Sequence, residues 1–406
     1  MIEERAVASL VADPEVGRWG GLQYDHHSSK VKVAPFDLWS SLRRECPVLH
    51  SDNYGGFWFL SRYDDVKRVL TDFEDFSAAE GATIPRTPLA MLPLEADPPI
   101  QRQYRSILNP YLTPAEVLKY EGFARELIST KLASEVVDGR IDLAHFGETY
   151  AHTVTMRAVG FDVADLSRLS AWCEILFGPE RDSEAGQQAG ADVMGFFNTA
   201  LDARIGQDSS SNLLTAIANA EIDGRPLDRQ EQTSLVLLLV FGGFHTTGSA
   251  LTSALVWLAD HPGDVDKLRA DPDLMPTAIE EFVRYSSPVS HMRRTTTRDV
   301  EFNGCPVSAG QAVQFGIASA NHDETVFESP DQVLLDRHPN RHLGFGSGPH
   351  RCLGSHLGKL VVRIGLEEFL AAVDTFEIED HEAMIYFASE GRSITQVFAR
   401  VQERTS

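Results

Sequence analysis

The stretch His342 to Gly358 reads HLGFGSGPHRCLGSHLG, with one cysteine among five glycines and three histidines. A loop so rich in glycine can adopt turns with positive φ and bring bare backbone N–H groups up to a ligand. A thiolate held against such amides is stabilised as an anion, and the thiolate is the form of cysteine that binds a metal. Leu357, Leu360, Val361, Ile364, Leu366 and Leu370 then recur at helical spacing, so the loop feeds a buried helix. The dipole at the start of that helix also favours a negative sulfur. Two blander readings fit the same residues. Cys352 can be a buried cysteine in a glycine turn. His338, His342, His350, Cys352 and His356 can also be a zinc set, although the close paired spacings of structural zinc are missing.

A second constellation interrupts Thr233 to Ala259, 27 residues without Asp, Glu, Lys or Arg. Asp228 and Glu231 form a D-x-x-E N-cap pair ahead of it, which predicts a long helix beginning at Asp228. Its length can cross a bilayer, but the centre reads Gly242-Gly243-Phe244-His245-Thr246-Thr247, and a polar patch at the middle of a membrane is costly. A helix through a protein core is the better reading. Two adjacent glycines cost roughly 1 kcal/mol each in a helix interior. Either a groove-opening kink, with the Thr246 hydroxyl reaching the Gly242 carbonyl, or close packing of a glycine pair beside buried polar groups offsets that cost. Further on, Glu281 and Arg284 lie three apart on one helix face. They read alone as a surface pair of small energetic weight.

The elements that must position these residues are mostly helices. The pattern predicts short helices over 37–45 and 62–70, a strand over 57–60, a loop over 74–96, and a helix opening at Asp97-Pro98-Pro99 with its prolines in the first turn. Further helices follow over 116–135, 146–159 and 189–205, then strand and turn chemistry from Ser287 to Gly304, with short alternating pieces around 387–401 at the end. Residues 1–35 read as an irregular lead-in. At 406 residues, 43% hydrophobic and 23% charged, the chain can bury a large core. A formal charge of −23 argues against a nucleic-acid partner and against an anionic membrane surface. Four cysteines at 46, 173, 305 and 352 have no paired spacing and suit a reducing cytosol. Met1 to Trp19 has no apolar segment of the signal-peptide kind. A cytoplasmic protein without a membrane partner is the expectation.

Phe345-x-x-Gly348-x-x-x-Cys352-x-Gly354, with His350 two residues before the cysteine, resembles the heme-binding loop of cytochrome P450. The resemblance covers roughly residues 35–400 through five ordered motifs. It implies a mainly α fold with small β-sheets, one domain over 1–406, and heme b with Cys352 as the axial thiolate. It also implies that Phe345, Gly354 and Gly242 lie against the heme. Arg105 matches a propionate-binding arginine, with Gln101 where the family often has histidine. Arg294 matches the second such arginine, with Arg293 as the fallback, and His350 adds a third propionate contact. Glu281, Arg284 and Arg337 match the structural Glu-x-x-Arg and its downstream arginine. Thr246 matches the threonine of the oxygen-activating segment. His245 stands where that segment carries an acid, and an imidazole there can relay protons near neutral pH.

The activity implied is insertion of one oxygen atom from O2 into an organic substrate. Electrons come from outside, because no flavin or iron–sulfur motif is present. A ferredoxin with its reductase is the implied source, docking near Arg102, Arg351, Lys359 and Arg363. Ile84 in the 83–91 loop, Leu238, Phe241, Phe244, Val289, Met292 and Ser389 line the pocket by position. They are mostly apolar, which suggests a small or medium hydrophobic molecule. A peroxide-driven or non-oxygenating heme enzyme and a non-catalytic heme sensor are the alternatives.

Overall fold

The computed structural model describes residues 24–28, 31, 35–87, 90–177, 180, 183–388 and 390–404. Most of residues 1–35 therefore lie outside the described residues. The architecture is a single, mainly α domain with small sheets.

The helix Arg229–Asp260 runs through the core. Its start is fixed by the capping box expected from the sequence: the Asp228 side chain accepts from the Glu231 backbone and the Glu231 side chain accepts from the Asp228 N–H at 2.8 Å. It is long and apolar enough to cross a membrane, but most of its apolar window is buried inside the protein. Its partner is Leu143–Val159, and small residues set their approach. A Cβ on Gly243 would meet Thr155 at 2.6 Å, one on Gly248 would meet the Glu148 backbone at 2.8 Å, and one on Gly147 would meet Thr252 at 2.7 Å. These contacts offset the helix-propensity cost of glycine. The helix stays continuous across Gly242 and Gly243.

Ser355–Ala372 lies on another side of the long helix, with Gly365 admitting the Leu251 side chain. Leu251, Leu255, Phe146, Phe369, Ile364 and Phe282 share one closed core there. A second core packs Phe197, Leu201, Phe241 and Phe244 behind the N-terminal half of the long helix.

The main sheet has five strands in the order Val48–Ser51, Phe57–Leu60, Ala312–Phe315, Met292–Thr296 and Phe76–Ser77. Phe57–Leu60 and Ala312–Phe315 are parallel, and the other pairs are antiparallel. Register divides its two faces, because directly paired residues point the same way. Trp58, Val313 and Arg294 pair on one face. Phe59, Gln314 and Arg293 pair on the other.

Some boundaries differ from the pattern reading. The helix after Asp97-Pro98-Pro99 is Ile100–Leu108, with Pro99 as its cap rather than its first turn. The run 116–135 breaks at a 3-10 turn, Leu118–Tyr120, before Glu121–Glu135. The C-terminal pieces form a hairpin, Ile385–Ala388 with Arg392–Gln396, and a strand Phe398–Glu403 shared with Val373–Ile378 and Arg140–Asp142.

Candidate active site

Cys352 sits between the 3-10 turn Gly348–His350 and the helix Ser355–Ala372. Two glycines make the turn, Gly346 at φ 66° and Gly348 at φ 65°. Gly348 also lies so close to Leu70 and Thr71 that a Cβ would meet backbone at 2.7 Å, so both conformation and space require glycine there. The Cys352 N–H donates to the Phe345 carbonyl at 2.8 Å, which closes the loop. Burial pushes the Cys352 thiol up, while the Gly354 backbone N–H, Arg105 and Arg351 act in the opposite direction.

The five proposed zinc ligands do not assemble. His342 Nε2 is 2.9 Å from Glu280, and among the described residues no group of three or more His, Cys, Asp or Glu is placed to hold a metal ion.

Cations gather around the loop instead. Arg294, 1% exposed, comes from the sheet and Arg105 from Ile100–Leu108. Burial, then the charges of Arg294 and Arg105, together push the His350 imidazole down to about 3. Arg105 and Cys352 also act on each other's charge. Among the described residues, none of Arg105, Arg294 and His350 has a carboxylate within ion-pair distance. Arg294 donates one bond, to the Arg293 carbonyl at 2.7 Å. His350 Nε2 is buried without a partner, as is Gln101 Oε1, whose amide nitrogen donates to the Pro349 carbonyl at 2.6 Å. Asp97 and Glu95 act on Arg294 only from beyond ion-pair distance, and a buried cation without a close anion is expensive. The arrangement therefore fits an acidic ligand beside Cys352, and the carboxylate-bearing edge of a heme meets that requirement. Arg293, the alternative to Arg294, points through the opposite face of the sheet.

Across from the loop, Thr246 Oγ1 donates to the Gly242 carbonyl at 2.8 Å. A Cβ at Gly242 would touch only Leu238 at 3.7 Å, and one at Gly354 would touch nothing within 4 Å. Gly358 lies 3.5 Å from Thr247 Oγ1 in the same sense, so the glycine loop and the threonine segment adjoin. Open space before two glycines suits a flat group lying close to the backbone.

His245 turns elsewhere. Its Nε2 is 3.2 Å from Cys173 Sγ, its ring stands edge-on to His152 at 6.1 Å, and burial lowers its pKa. Cys173 belongs to Leu166–Phe177, behind the long helix. The sequence had no signal for this pairing beyond an unassigned cysteine. Phe244 likewise departs from its expected place in the pocket. It is fully buried and stacked on His152, 4.1 Å between centroids, because it follows the His245 side of the helix. Leu238, Val289 and Met292 are half-buried and Phe241 is buried. Ile84 is buried in the core on the far face of the sheet, and its carbonyl pairs with His26. Ser389 lies outside the described residues.

Glu281, Arg284 and Arg337 form a saturated cluster. Glu281 and Arg284 are 0% exposed, not a surface pair. Arg284 holds both carboxylate oxygens, at 2.7 and 2.9 Å, and Arg337 Nε lies 2.9 Å from each. Asn340 and the Leu334 N–H add two further bonds. Arg284 spends its other hydrogens on the carbonyls of Asn321, Pro330 and Gln332. Burial pushes the Glu281 carboxyl up, but these donors outweigh it and hold it below its usual range. Asn321 carries the linkage onward, accepting from the Leu343 N–H at 2.6 Å just before the cysteine loop.

The family model described as Cytochrome P450 matches residues 180–387. The methyl-branched lipid omega-hydroxylase of Mycobacterium tuberculosis is 34% identical over 83% of this chain and 81% of its own. Linalool 8-monooxygenase of Pseudomonas putida is 31% identical over 86% and 91%. Among solved structures, CYP108D1 of Novosphingobium aromaticivorans superposes with a TM-score of 0.82 at 25% identity, covering 91% of this chain and 94% of that one.

Proposed function

The chain belongs to the cytochrome P450 family of heme-thiolate monooxygenases, and on that premise we propose that it oxygenates a small or medium hydrophobic organic molecule, with electrons from an external ferredoxin and its reductase. The observation that carries this is the convergence of Arg105, Arg294 and His350 beside Cys352, with no described carboxylate within ion-pair distance. Heme b, when bound, supplies the activation of dioxygen. Cys352 is the residue that ligates its iron, and the two arginines with His350 hold its acidic edge. Phe345, Gly354 and Gly242 are assigned to the surfaces that flank it.

Thr246 is assigned the proton step. Its hydroxyl, resting on the Gly242 carbonyl, can turn from that acceptor and donate toward the open side of the helix. A positioned proton donor of this kind contributes about 10²-fold or more. His245 is held to Cys173, so we assign it to fixing Leu166–Phe177 against the long helix. Turnover by His245→Asp with unchanged response to deuterated water would agree; a changed isotope response would restore a relay.

Leu238, Phe241, Val289 and Met292 are the proposed substrate contacts. Two relatives carry names that denote oxidation of a lipid and of linalool, which supports an apolar substrate for this chain. On the proximal side Lys359 pairs with Glu280 at 2.9 Å and Arg363 with Glu121 and Glu367 at 3.2 and 3.1 Å. Arg102 and Arg351 remain exposed without an ion pair among the described residues, and they are the proposed docking charges in a cytoplasmic protein of one domain, 1–406. The test is reconstitution with ferredoxin, reductase and NADH under labelled O2. Substrate-dependent NADH consumption with one labelled oxygen in the product is expected. Turnover with peroxide alone, or heme without turnover, would favour the alternative classes.

A further inference from the structure

Arg293 and Arg294 are neighbours with opposite surroundings, and only Arg294 belongs to the site described above. Arg293 opens onto a separate cavity of about 440 Å³ at the end of the five-stranded sheet. Arg86, His50, Trp58, Phe57 and Ile84 also line it. The register places Arg293 on the sheet face opposite Arg294.

The chemistry of this cavity is one-sided. Arg293 Nη2 donates to Thr295 Oγ1 at 3.3 Å, while its Nε is buried without a partner. It has no ion pair among the described residues. The charge that acts on it most is another guanidinium: burial and then Arg86 lower its pKa, with Glu80 and Glu95 each acting more weakly the other way. Among the described residues Arg86 itself reaches only Glu80, at 3.7 Å, with both side chains more than half exposed. Such a pair holds little energy. In a chain of net charge −23, two guanidiniums facing one cavity without a bridging carboxylate are an anion site. The other walls are mixed, with His50 and Gln311 beside Phe57 and Ile84. The His50 and Trp58 rings meet edge to face at 4.9 Å, and Phe57 and Ile84 are buried. The Trp58 Nε1 hydrogen is taken by Gln311 at 2.9 Å, which fixes the indole.

We propose that this cavity binds an organic carboxylate, with the acid group on Arg293 and Arg86 and its carbon body against the Phe57 and Ile84 side of the sheet. Guanidinium recognises carboxylate through paired N–H donors, and a carbon body distinguishes this ligand from an inorganic ion. The carboxylate has two sources, the tail of the oxidised substrate or a separate small acid. The proposal does not rest on the oxygenase reading, because it concerns other residues and can be read calorimetrically.

The test is titration of the full-length heme-loaded protein with octanoate and benzoate, against octanol and benzyl alcohol. The acids are expected to bind saturably and the alcohols much more weakly. Arg293→Gln should weaken the acids about tenfold or more, and Arg86→Gln by less. The carbon monoxide spectrum of both variants serves as the control for folding. If an acid also shifts the heme absorption with the same affinity, the carboxylate belongs to the substrate; without a shift it is a separate ligand. Absent acid binding, equal binding of acid and alcohol, or unchanged affinity in Arg293→Gln would each overturn the proposal.

Discussion

Two clusters of arginine stand within one molecule, each with a fully buried member, Arg284 or Arg294, and do opposite things. Around Glu281, each guanidinium is matched by carboxylate and carbonyl oxygens, and the group is closed. Around Cys352, no described carboxylate lies within ion-pair distance of Arg105 or Arg294, Asp97 and Glu95 act on Arg294 only from further off, and His350 keeps an unpartnered nitrogen. Burial alone does not separate them. Satisfaction does: a cation saturated by its own chain braces the fold, and one left without an anion awaits a ligand.

The comparison breaks most easily at Glu281. Glu281→Gln should destabilise the apo protein by about 3–5 kcal/mol, since two arginines are left buried against a neutral amide. Urea denaturation of the apo form measures this. Arg294→Met should do the reverse of that pattern. The apo protein should stay within about 1 kcal/mol of wild type, because an unpaired buried cation is removed, while heme is lost to an acceptor protein about tenfold faster or more. Similar apo destabilisation by both changes would erase the distinction.

Thr246 lies in neither cluster and calibrates the chemistry. Thr246→Ala should keep heme and stability while product formed per NADH falls about tenfold or more. Unchanged coupling would remove Thr246 from the proton step.

Acid sharpens the contrast more gently. The folded His350 value, about 3, is below the unfolded value of roughly 6.5. The folded apo chain thus binds fewer protons, and His350 subtracts stability as pH falls from about 6.5 toward 3. His26, His152 and His322, at about 4, 3 and 3, add the same sign with or without heme. An acidic ligand beside His350 raises its value, so the heme-loaded protein should lose less stability over that window. His350→Gln should remove the difference between the two forms. The smallest effect belongs to the surface: Arg351→Glu should slow ferredoxin-dependent reduction severalfold at low salt and little at high salt.

The order of the motifs made much of this legible in the sequence. The capping pair at Asp228 and Glu231 and the glycine loop at Cys352 are local, so local pattern was enough. Direction was harder to read. His245 and Phe244 neighbour Thr246 in the chain but face Cys173 and His152, since the crossing with Leu143–Val159 sets the helix rotation. Arg293 and Arg294 are chemically identical neighbours, and only pairing with Gln314 and Val313 tells them apart. Glu281 and Arg284 looked like a surface pair because the oxygens and donors that saturate them come from 321–340, far along the chain.

The central claim is that Cys352 is the thiolate ligand of a heme. Carbon monoxide added to the reduced, heme-loaded protein tests it most directly. The account predicts a thiolate-type Soret band in the wild type and in Arg293→Gln, and its loss in Cys352→Ala. No such band in the wild type, or its survival in Cys352→Ala, would contradict it.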